Sequence, residues 1–308
     1  MHRTRREFVK GMATVGIGTA VGCRSLCGQS FYGPTIRDRL WMWGHHPDMS
    51  GKSVAKGKSW PGPAVDQAEG CRIMGIPNNC VIRWGNKPAY PWGDYFEQFK
   101  SLKRISFGIT DGARGSVRDK MKLAFDVIQP AMPNLTGCFL DDYFRPADIG
   151  QKSLDLQKVA DAVHEHGLRL SVVLYSDQDG FRAEYKHDLE CCDETSLWFW
   201  RSANIDTMAD RVKRCREFIG PEKDLLLGLY MWDFTCGEPV AADKMERQLS
   251  FARKFLADRT VTGLIFHPSF AAALNVPSVR LSREWIGRMR RRSLGLVKGT
   301  KTMKGMTR

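Results

Sequence analysis

The sequence predicts an α/β fold, a single-domain (β/α)8 barrel, and three observations support this prediction. Short apolar runs alternate with helical patterns across residues 39–292, and this alternation indicates a parallel sheet covered by helices. The runs are continuously apolar, which is typical of strands that are buried on both faces. The number of these units within that length matches the (β/α)8 barrel, which typically has about 250 residues.

The apolar runs define the strands of the predicted barrel. They are residues 40–44, 79–84, 104–109, 137–140, 168–175, 197–200, 225–232 and 261–266. An open doubly wound sheet is the competing fold, and it usually has a Gly-rich phosphate-binding turn after its first strand. His45-His46-Pro47 occupies that place here and no G-x-G-x-x-G follows it, so the closed barrel is favoured.

A helical pattern follows each predicted strand. The helices are predicted at residues 64–75, 95–102, 117–128, 154–166, 182–189, 208–219, 244–256 and 282–292. Gly167 and Gly220 stand where two of these helices should stop. No internal repeat is visible, and the alternation requires no second domain.

The N-terminus has the composition of a targeting segment. Residues 4–10 read Thr-Arg-Arg-Glu-Phe-Val-Lys and resemble the twin-arginine translocation signal, with Val9 in place of the usual Leu. The uncharged run at 11–22 is too short to span a bilayer, which needs about 20 residues. The resemblance implies a signal and cleavage region at 1–30, a linker at 31–38, and export of the folded chain by the twin-arginine translocase. The expected location is therefore extracytoplasmic, in the periplasm or at the cell surface.

The signal region ends in Ala20-Val21-Gly22-Cys23, which resembles a lipoprotein cleavage box. That resemblance implies acylation of Cys23 and tethering to the membrane, and simple cleavage nearby is the alternative. The chain has nine Cys and no C-x-x-C pair. Because twin-arginine cargo folds in a reducing compartment, these Cys need not form disulfides, and Cys80 and Cys138 are predicted to be small core residues.

The positive charge lies mainly at the two ends of the chain. The formal net charge is +13, of which residues 1–10 carry +3 and residues 288–308 carry +8. The remaining +2 leaves the folded body nearly neutral, so we expect no nucleic-acid partner. Residues 293–308 are predicted to be a basic disordered tail, after a barrel that ends at 292.

The C-terminal ends of the strands should form the functional site, because barrel enzymes place their active sites there. Aromatic, carboxylate, His and Arg side chains are concentrated at these ends, and aromatic rings with carboxylates suit a carbohydrate ligand. Five strand-end positions are Trp, at 43, 84, 198, 200 and 232. The candidate substrate-binding residues are Trp43, His45, His46, Arg83, Trp84, Asp111, Tyr143, Tyr175, Asp177, Trp200, Arg201, Tyr230, Trp232 and His267.

The sharpest motif is Gly137-Cys-Phe-Leu-Asp-Asp-Tyr143, in which two carboxylates follow an apolar strand. At a strand end they can face a pocket, where mutual repulsion favours keeping one of them protonated. The motif resembles the Asp-Asp or Asp-Glu pair that ends strand four of retaining β-N-acetylhexosaminidases. The resemblance implies that Asp141 orients the substrate's acetamido group, which acts as nucleophile, and that Asp142 is the general acid/base.

Other interpretations of this pair remain open. Without an acetamido group, catalysis needs a second carboxylate across the pocket, and Asp233 or Asp177 could supply it. In a purely structural role, one Asp would cap a turn and the other would pair with Arg83 or Arg201. A non-catalytic glycan-binding lipoprotein on the same scaffold is a further alternative.

His45 and His46 are adjacent, so alternation along a strand would direct only one of them into the barrel mouth. His267 could join that residue in a divalent-metal isomerase or endonuclease-like barrel. Such barrels use several Glu at their strand ends, and Glu is scarce there in this sequence. We therefore expect neither a metal nor another cofactor.

Overall fold

The computed structural model describes residues 34–85, 87–88, 93–110, 117–144, 155–176 and 181–293. They belong to one compact unit that covers Tyr32–Arg308. The predicted signal region at 1–30 lies outside the described residues, as does the basic tail beyond 293. Residues 34–38, part of the predicted linker, contact the C-terminal end of the described chain. Thr35 forms an antiparallel bridge with Ser293, and the Ile36 N–H donates to the Arg292 carbonyl.

The barrel predicted from the alternating pattern is confirmed. Its eight parallel strands are β1 (Leu40–Gly44), β2 (Asn78–Val81), β3 (Arg104–Gly108), β4 (Leu135–Leu140), β5 (Arg169–Tyr175), β6 (Glu194–Trp198), β7 (Asp224–Tyr230) and β10 (Gly263–His267). Around the closed barrel they follow the order β1, β10, β7, β6, β5, β4, β3, β2. Two short strands, β8 (Trp232–Asp233) and β9 (Glu238–Pro239), form an antiparallel hairpin after β7.

Helices follow the strands on the outside of the barrel. In the described residues they are α1 (Gln67–Met74), α2 (Gly93–Glu97), α3 (Val117–Leu123), α4 (Gln129–Ala131), α5 (Leu156–Glu165), α6 (Lys186–Cys191), α7 (Met208–Ile219), α8 (Ala242–Ala257) and α9 (Pro277–Met289). A π-helical turn, Ala124–Ile128, joins α3 to α4. Gly167 and Gly220 lie just beyond α5 and α7 with positive φ, as their predicted role as helix stops requires.

Several predicted boundaries were wrong, and two of them have a clear physical reason. The sixth strand begins at Glu194 and not at 197, because its polar first residues conceal it; one of them, Ser196, accepts a hydrogen bond from Trp198 Nε1 at 2.9 Å. The last helix begins at Pro277 and not at Ser282. Pro277 fits the first turn, where its missing N–H removes no helical bond, and the Ser282 hydroxyl donates to the Ser278 carbonyl at 2.8 Å.

The predicted seventh strand, 225–232, also merges two elements. The barrel strand ends at Tyr230, and Trp232 and Asp233 belong to the β8–β9 hairpin. Between them, the Met231 N–H donates to the His267 carbonyl at 2.7 Å and so marks the end of the β7–β10 pairing. The side chains of Trp232 and Asp233 therefore do not continue the inward and outward alternation of β7.

Three aromatic rings fill the barrel at its C-terminal end. The Trp43 ring lies 4.7 Å from the Phe139 ring and 4.9 Å from the Trp198 ring, measured between centroids. Glycines on the neighbouring strands make this packing possible: a Cβ at Gly108 would lie 3.1 Å from the Phe139 ring, and one at Gly228 would overlap the Trp198 indole. The barrel is thus closed beneath its mouth by packed rings, which form the floor of the site.

Candidate functional site

A pocket of about 240 Å³ opens at the C-terminal mouth of the barrel. Side chains from the ends of β1, β2, β4, β5, β6, β7 and β10, and from the loops that follow, line it. Its volume is slightly below the ~300–1,000 Å³ of typical small-molecule sites. The pocket therefore suits one small ring, with the rest of a longer ligand outside the mouth.

Aromatic rings form the floor and most of the wall of this pocket. Trp43 and Trp198 are its floor, and Trp84, Trp200 and Phe234 line its sides. Trp84 stacks on the His45 ring at 5.2 Å and is 38% exposed, so it offers an apolar face to a ligand at the mouth. The Arg201 guanidinium lies 4.9 Å from the Trp200 ring and is itself exposed.

The polar centre of the pocket is the pair Asp141 and Asp142, which follow β4 directly. Adjacent residues of an extended strand point to opposite faces, so regular β structure would direct only one of them inward. Asp142 instead has a left-handed backbone, with φ of 55°. That conformation costs a non-glycine residue roughly 1–2 kcal/mol, although Asp tolerates it better than most. It breaks the alternation and allows both carboxylates to line the pocket.

Neighbouring residues hold the pair in place. The Thr110 hydroxyl donates to the Asp141 backbone carbonyl at 2.7 Å and so ties the end of β3 to the end of β4. The Tyr175 hydroxyl donates to the Asp142 carboxylate. Burial raises the pKa of Tyr175 well above its ordinary value of 10, and the nearby Asp141 charge raises it further. Tyr175 therefore remains a hydrogen-bond donor at any physiological pH.

His45 and His267 lie together on the opposite side, with ring centroids 5.0 Å apart in an edge-to-face arrangement. They are only 7% and 4% exposed, and within the described residues the Nδ1 atom of each lacks a hydrogen-bond partner. Burial lowers the pKa of His45 to about 3. Burial, and then the neighbouring His45, lower the pKa of His267 well below its ordinary value. Both rings are therefore neutral between about pH 5 and pH 8.

Tyr230 completes the wall beside His267, with its ring 4.8 Å from the His267 ring and 5.4 Å from Trp198. The Gln248 side chain from α8 fixes the backbone at this point. Its amide donates to the Tyr230 carbonyl at 3.1 Å and its carbonyl oxygen accepts from the Tyr230 N–H at 3.2 Å. A helix on the outside of the barrel thus sets the position of a residue in the pocket.

Several predicted site residues lie outside this pocket lining. His46 accepts a hydrogen bond from the Asp48 N–H at 3.2 Å and stacks on Tyr95. Buried Arg83 donates to the Pro88 carbonyl at 3.1 Å. The Tyr143 hydroxyl donates to Asp188 at 3.3 Å. These three residues make local contacts and are not part of the described pocket lining, while Asp111 and Asp177 lie outside the described residues.

Trp232 and Asp233 are placed by the β8–β9 hairpin. Trp232 is buried against Trp60, at 4.4 Å between ring centroids, and its Nε1 donates to the Ser53 carbonyl at 2.8 Å. The Asp233 carboxylate accepts from the Ser202 N–H at 3.0 Å and the Thr235 N–H at 2.8 Å. Burial raises the pKa of Asp233, but these hydrogen bonds outweigh burial and leave the pKa below its usual value. Asp233 therefore organises loops and does not line the pocket.

Two lining residues were not among the candidates chosen from the sequence. Trp198 was one of the five strand-end Trp residues but not one of the candidate substrate-binding residues; it is the last residue of β6 and faces the pocket together with Trp200, two positions later, as period-two spacing predicts. Phe234 reaches the pocket from the β8–β9 hairpin. No strand periodicity extends into that hairpin, so the sequence offers no comparable signal for Phe234.

No cluster of three or more His, Cys, Asp or Glu suited to a metal ion is found among the described residues. In the same residues, no helix has the length and apolar character needed to cross a membrane. The Cys residues described are all unpaired thiols, and Cys80 and Cys138 are buried in the core as expected.

No protein-family model and no curated protein matches this chain. Solved structures share its fold. A putative α-L-fucosidase from Bacteroides thetaiotaomicron VPI-5482 superposes with a TM-score of 0.54 at 10% identity, covering 84% of this chain and 99% of that one. A group IV chitinase from Ostrinia furnacalis has a TM-score of 0.51 at 10% identity, covering 80% and 99%. At such identities the likeness shows the fold alone: this chain has a barrel like those of glycoside hydrolases.

Proposed function

We propose that this protein is a glycoside hydrolase that acts on a glycan at the barrel-mouth pocket. One observation carries the proposal: two adjacent carboxylates at the end of β4 face a pocket whose walls are mainly aromatic rings. Aromatic faces stack on the apolar faces of sugar rings, and carboxylates accept hydrogen bonds from sugar hydroxyls. The pocket also lies at the end of the barrel where such enzymes place their catalytic groups.

In this proposal Asp142 is the general acid/base. Its protonated carboxyl donates its proton to the glycosidic oxygen as the bond from that oxygen to the anomeric carbon breaks. Tyr175 orients Asp142 through its hydroxyl, and ionised Asp141 stabilises the positive charge that develops on the ring. A water molecule then adds to the anomeric carbon, and its proton returns to Asp142.

The group that assists on the other face of the sugar depends on the substrate. Two-carboxylate glycosidases place their carboxylates on either side of the scissile bond, whereas Asp141 and Asp142 follow the same strand. An acetamido sugar could provide its own carbonyl oxygen, as in the family that the Asp-Asp pair resembles. For a sugar without that group, Asp177 stays the predicted second carboxylate.

Non-catalytic glycan binding is a second candidate function, and one observation favours it. Among the described residues that line the pocket, the only carboxylates are the two at the end of β4. A pocket with aromatic walls and carboxylates on one side can hold a sugar without breaking its glycosidic bond.

Hydrolysis of a panel of glycans by wild type, Asp142→Asn and Asp141→Asn distinguishes the two functions. Loss of a general acid/base should reduce the rate by about 10²- to 10⁴-fold, so Asp142→Asn should be nearly inactive. Asp210→Asn, at an exposed position of α7, is the matched control and should retain the wild-type rate. Full activity of Asp142→Asn would remove Asp142 from the mechanism, and binding without hydrolysis by wild type would favour the second function.

We also propose that the chain is exported by the twin-arginine translocase and works outside the cytoplasm. The support is the N-terminal motif Thr4–Lys10 and the uncharged run behind it. Replacing both Arg5 and Arg6 by Lys should retain the protein in the cytoplasm, as cell fractionation would show; unchanged export would refute the proposal. If Cys23 is acylated, Cys23→Ala should release the protein from the membrane fraction. Simple cleavage instead predicts that wild type and Cys23→Ala are both exported as soluble proteins.

A further inference from the structure

We propose that His45 and His267 determine specificity at the deep end of the pocket, where their side chains bind two adjacent free hydroxyl groups of a sugar ring. The inference rests on the proposed function in placing the anomeric carbon of that ring beside Asp142. It then names the substrate class: a glycan whose terminal, non-reducing ring enters the pocket with those two hydroxyl groups unsubstituted.

The ring nitrogens of the two histidines provide the first reason. Within the described residues, His45 and His267 make hydrogen bonds through their backbones alone, and the Nδ1 atom of each is buried without a partner. Both residues nevertheless line the pocket, although they are only 7% and 4% exposed. Buried polar groups in proteins are normally hydrogen-bonded, so the partner of each ring must come from the pocket, as a ligand group or as water.

The protonation state of the two rings favours hydroxyl groups as their partners. Burial keeps both rings neutral, and a neutral imidazole has one donor nitrogen and one acceptor nitrogen. A hydroxyl group can both donate and accept, so it pairs with either nitrogen, whichever tautomer is present. An ammonium can only donate, and a carboxylate can only accept. With their centroids 5.0 Å apart, the two rings can reach adjacent hydroxyl groups of one sugar.

The backbone around the two histidines holds both rings in place. The His45 N–H donates to Ser269 Oγ at 3.0 Å, and the Ser269 hydroxyl donates to the His45 carbonyl at 3.1 Å. The His267 carbonyl accepts from the Met231 N–H at 2.7 Å. Because Ser269 lies two residues beyond His267, these bonds tie the ends of β1 and β10 together. The pair is therefore preorganised on rigid elements, as a specificity site requires.

The depth of the pair in the pocket indicates which part of the sugar it meets. Asp142 is partly exposed at the end of β4, whereas His45 and His267 are buried on the opposite side of the barrel. With the anomeric carbon beside Asp142, the hydroxyl groups farthest from it, the 3- and 4-hydroxyl groups, meet the histidines. The aromatic floor lies against His267 and leaves no room for a further sugar there. The bound ring is therefore the non-reducing end of a glycan.

The test measures binding through the intrinsic fluorescence of the pocket Trp residues. The probes are the α- and β-methyl glycosides of glucose, galactose, mannose, xylose and N-acetylglucosamine, each with its 3-deoxy and 4-deoxy analogues. We expect at least one parent glycoside to bind, and its deoxy analogues to bind at least ~10-fold more weakly, because each leaves a buried imidazole without its partner. Equal binding of parent and deoxy analogues, or binding of no parent glycoside, would overturn the inference.

His45→Phe and His267→Phe test the role of the two rings. Phe keeps the ring packing and removes both nitrogens, so neither variant should lose stability in urea unfolding at neutral pH. Each variant should bind the parent glycoside ~10-fold more weakly than wild type and should no longer distinguish it from one of the two deoxy analogues. His187→Gln, at an exposed position of α6, is the control and should keep the wild-type preference. Full binding by both Phe variants would mean that water alone pairs with the rings, and the inference would fail.

Hydrolysis is assayed separately, so that this inference and the proposed function can fail independently. Binding with the expected deoxy losses, but without hydrolysis of any glycan, would support the histidine site together with the non-catalytic function. A glycan with a methyl group on its terminal 4-hydroxyl group provides the opposite case. Its hydrolysis at the same rate as the unmethylated glycan would support the glycosidase and overturn the inference about the terminal ring.

Discussion

Acidification should remove the contribution that His45 makes to the stability of this protein. The folded protein holds the pKa of His45 at about 3 because the ring is buried, whereas an exposed His has a pKa of about 6.5. The unfolded chain therefore takes up a proton first. The contribution of His45 to the free energy of unfolding is complete above about pH 6.5 and is lost as the pH falls towards the folded pKa.

The size of the effect follows from the two pKa values. Once the unfolded His45 is protonated, each pH unit removes about 1.4 kcal/mol from the free energy of unfolding. Between about pH 7 and about pH 5 the loss from His45 is about 2 kcal/mol. His267 adds to the loss in the same direction, because burial also lowers its pKa.

The His45→Phe variant isolates this contribution. Phe keeps the ring contacts with Trp84 at 5.2 Å and Phe270 at 6.0 Å, and it leaves no new buried polar atom unsatisfied. Urea unfolding at a series of pH values should show the variant gaining about 2 kcal/mol relative to wild type between about pH 7 and about pH 5. His187→Gln, at an exposed position of α6, is the control and should follow the wild-type profile.

Parallel pH profiles for wild type and His45→Phe would refute this reasoning. That result would mean that His45 can be protonated in the folded state at little cost, so that water or a carboxylate reaches its ring. The His45 ring would then be cationic below about pH 6.5, inside the pocket that it lines.

The remaining predictions concern glycines on which the site depends. Gly228→Ala should lower the free energy of unfolding by about 1–3 kcal/mol in urea and shift the Trp fluorescence, because the added methyl group would overlap Trp198. Its control is Gly287→Ala on α9, where the added methyl group meets open space, so that variant should be neutral or slightly stabilising. Gly237→Ala should cost more than Gly57→Ala, since both have positive φ but only Gly237 packs against the Ala55 backbone. The Gly57 change should cost only the roughly 1–2 kcal/mol of a left-handed backbone, and equal costs would contradict the docking of the hairpin on that loop.

The barrel was predictable because a strand that is buried on both faces is a continuous apolar run in the sequence. The β1, β7 and β10 runs are nearly continuous apolar segments, so their positions follow directly from composition. The sixth strand was placed too late because Glu194 and Ser196 are buried polar residues: burial raises the pKa of Glu194 well above its usual value, and the Ser196 hydroxyl accepts a hydrogen bond from Trp198. Local polarity therefore misleads wherever tertiary contacts satisfy the polar group.

The site was predictable as a region but less well as a set of side chains. Strand ends converge on one mouth in any such barrel, so Trp43, Tyr175 and His267 could be placed from the strand positions alone. The directions of the other side chains depend on events that break periodicity. The left-handed backbone at Asp142 turns a second carboxylate inward, and the hairpin after β7 removes Asp233 from the pocket while it delivers Phe234.

The left-handed backbone at Asp142 also limits which residue types can occupy this position. Gly, Asn and Asp adopt such a conformation most readily, and of these only Asp has a carboxyl group. A change from Asp to Asn would preserve the turn, the size of the side chain and its contact with Tyr175, while it removed the acid. An enzyme and a lectin could thus lie one substitution apart on this scaffold, with no trace of the difference in the fold.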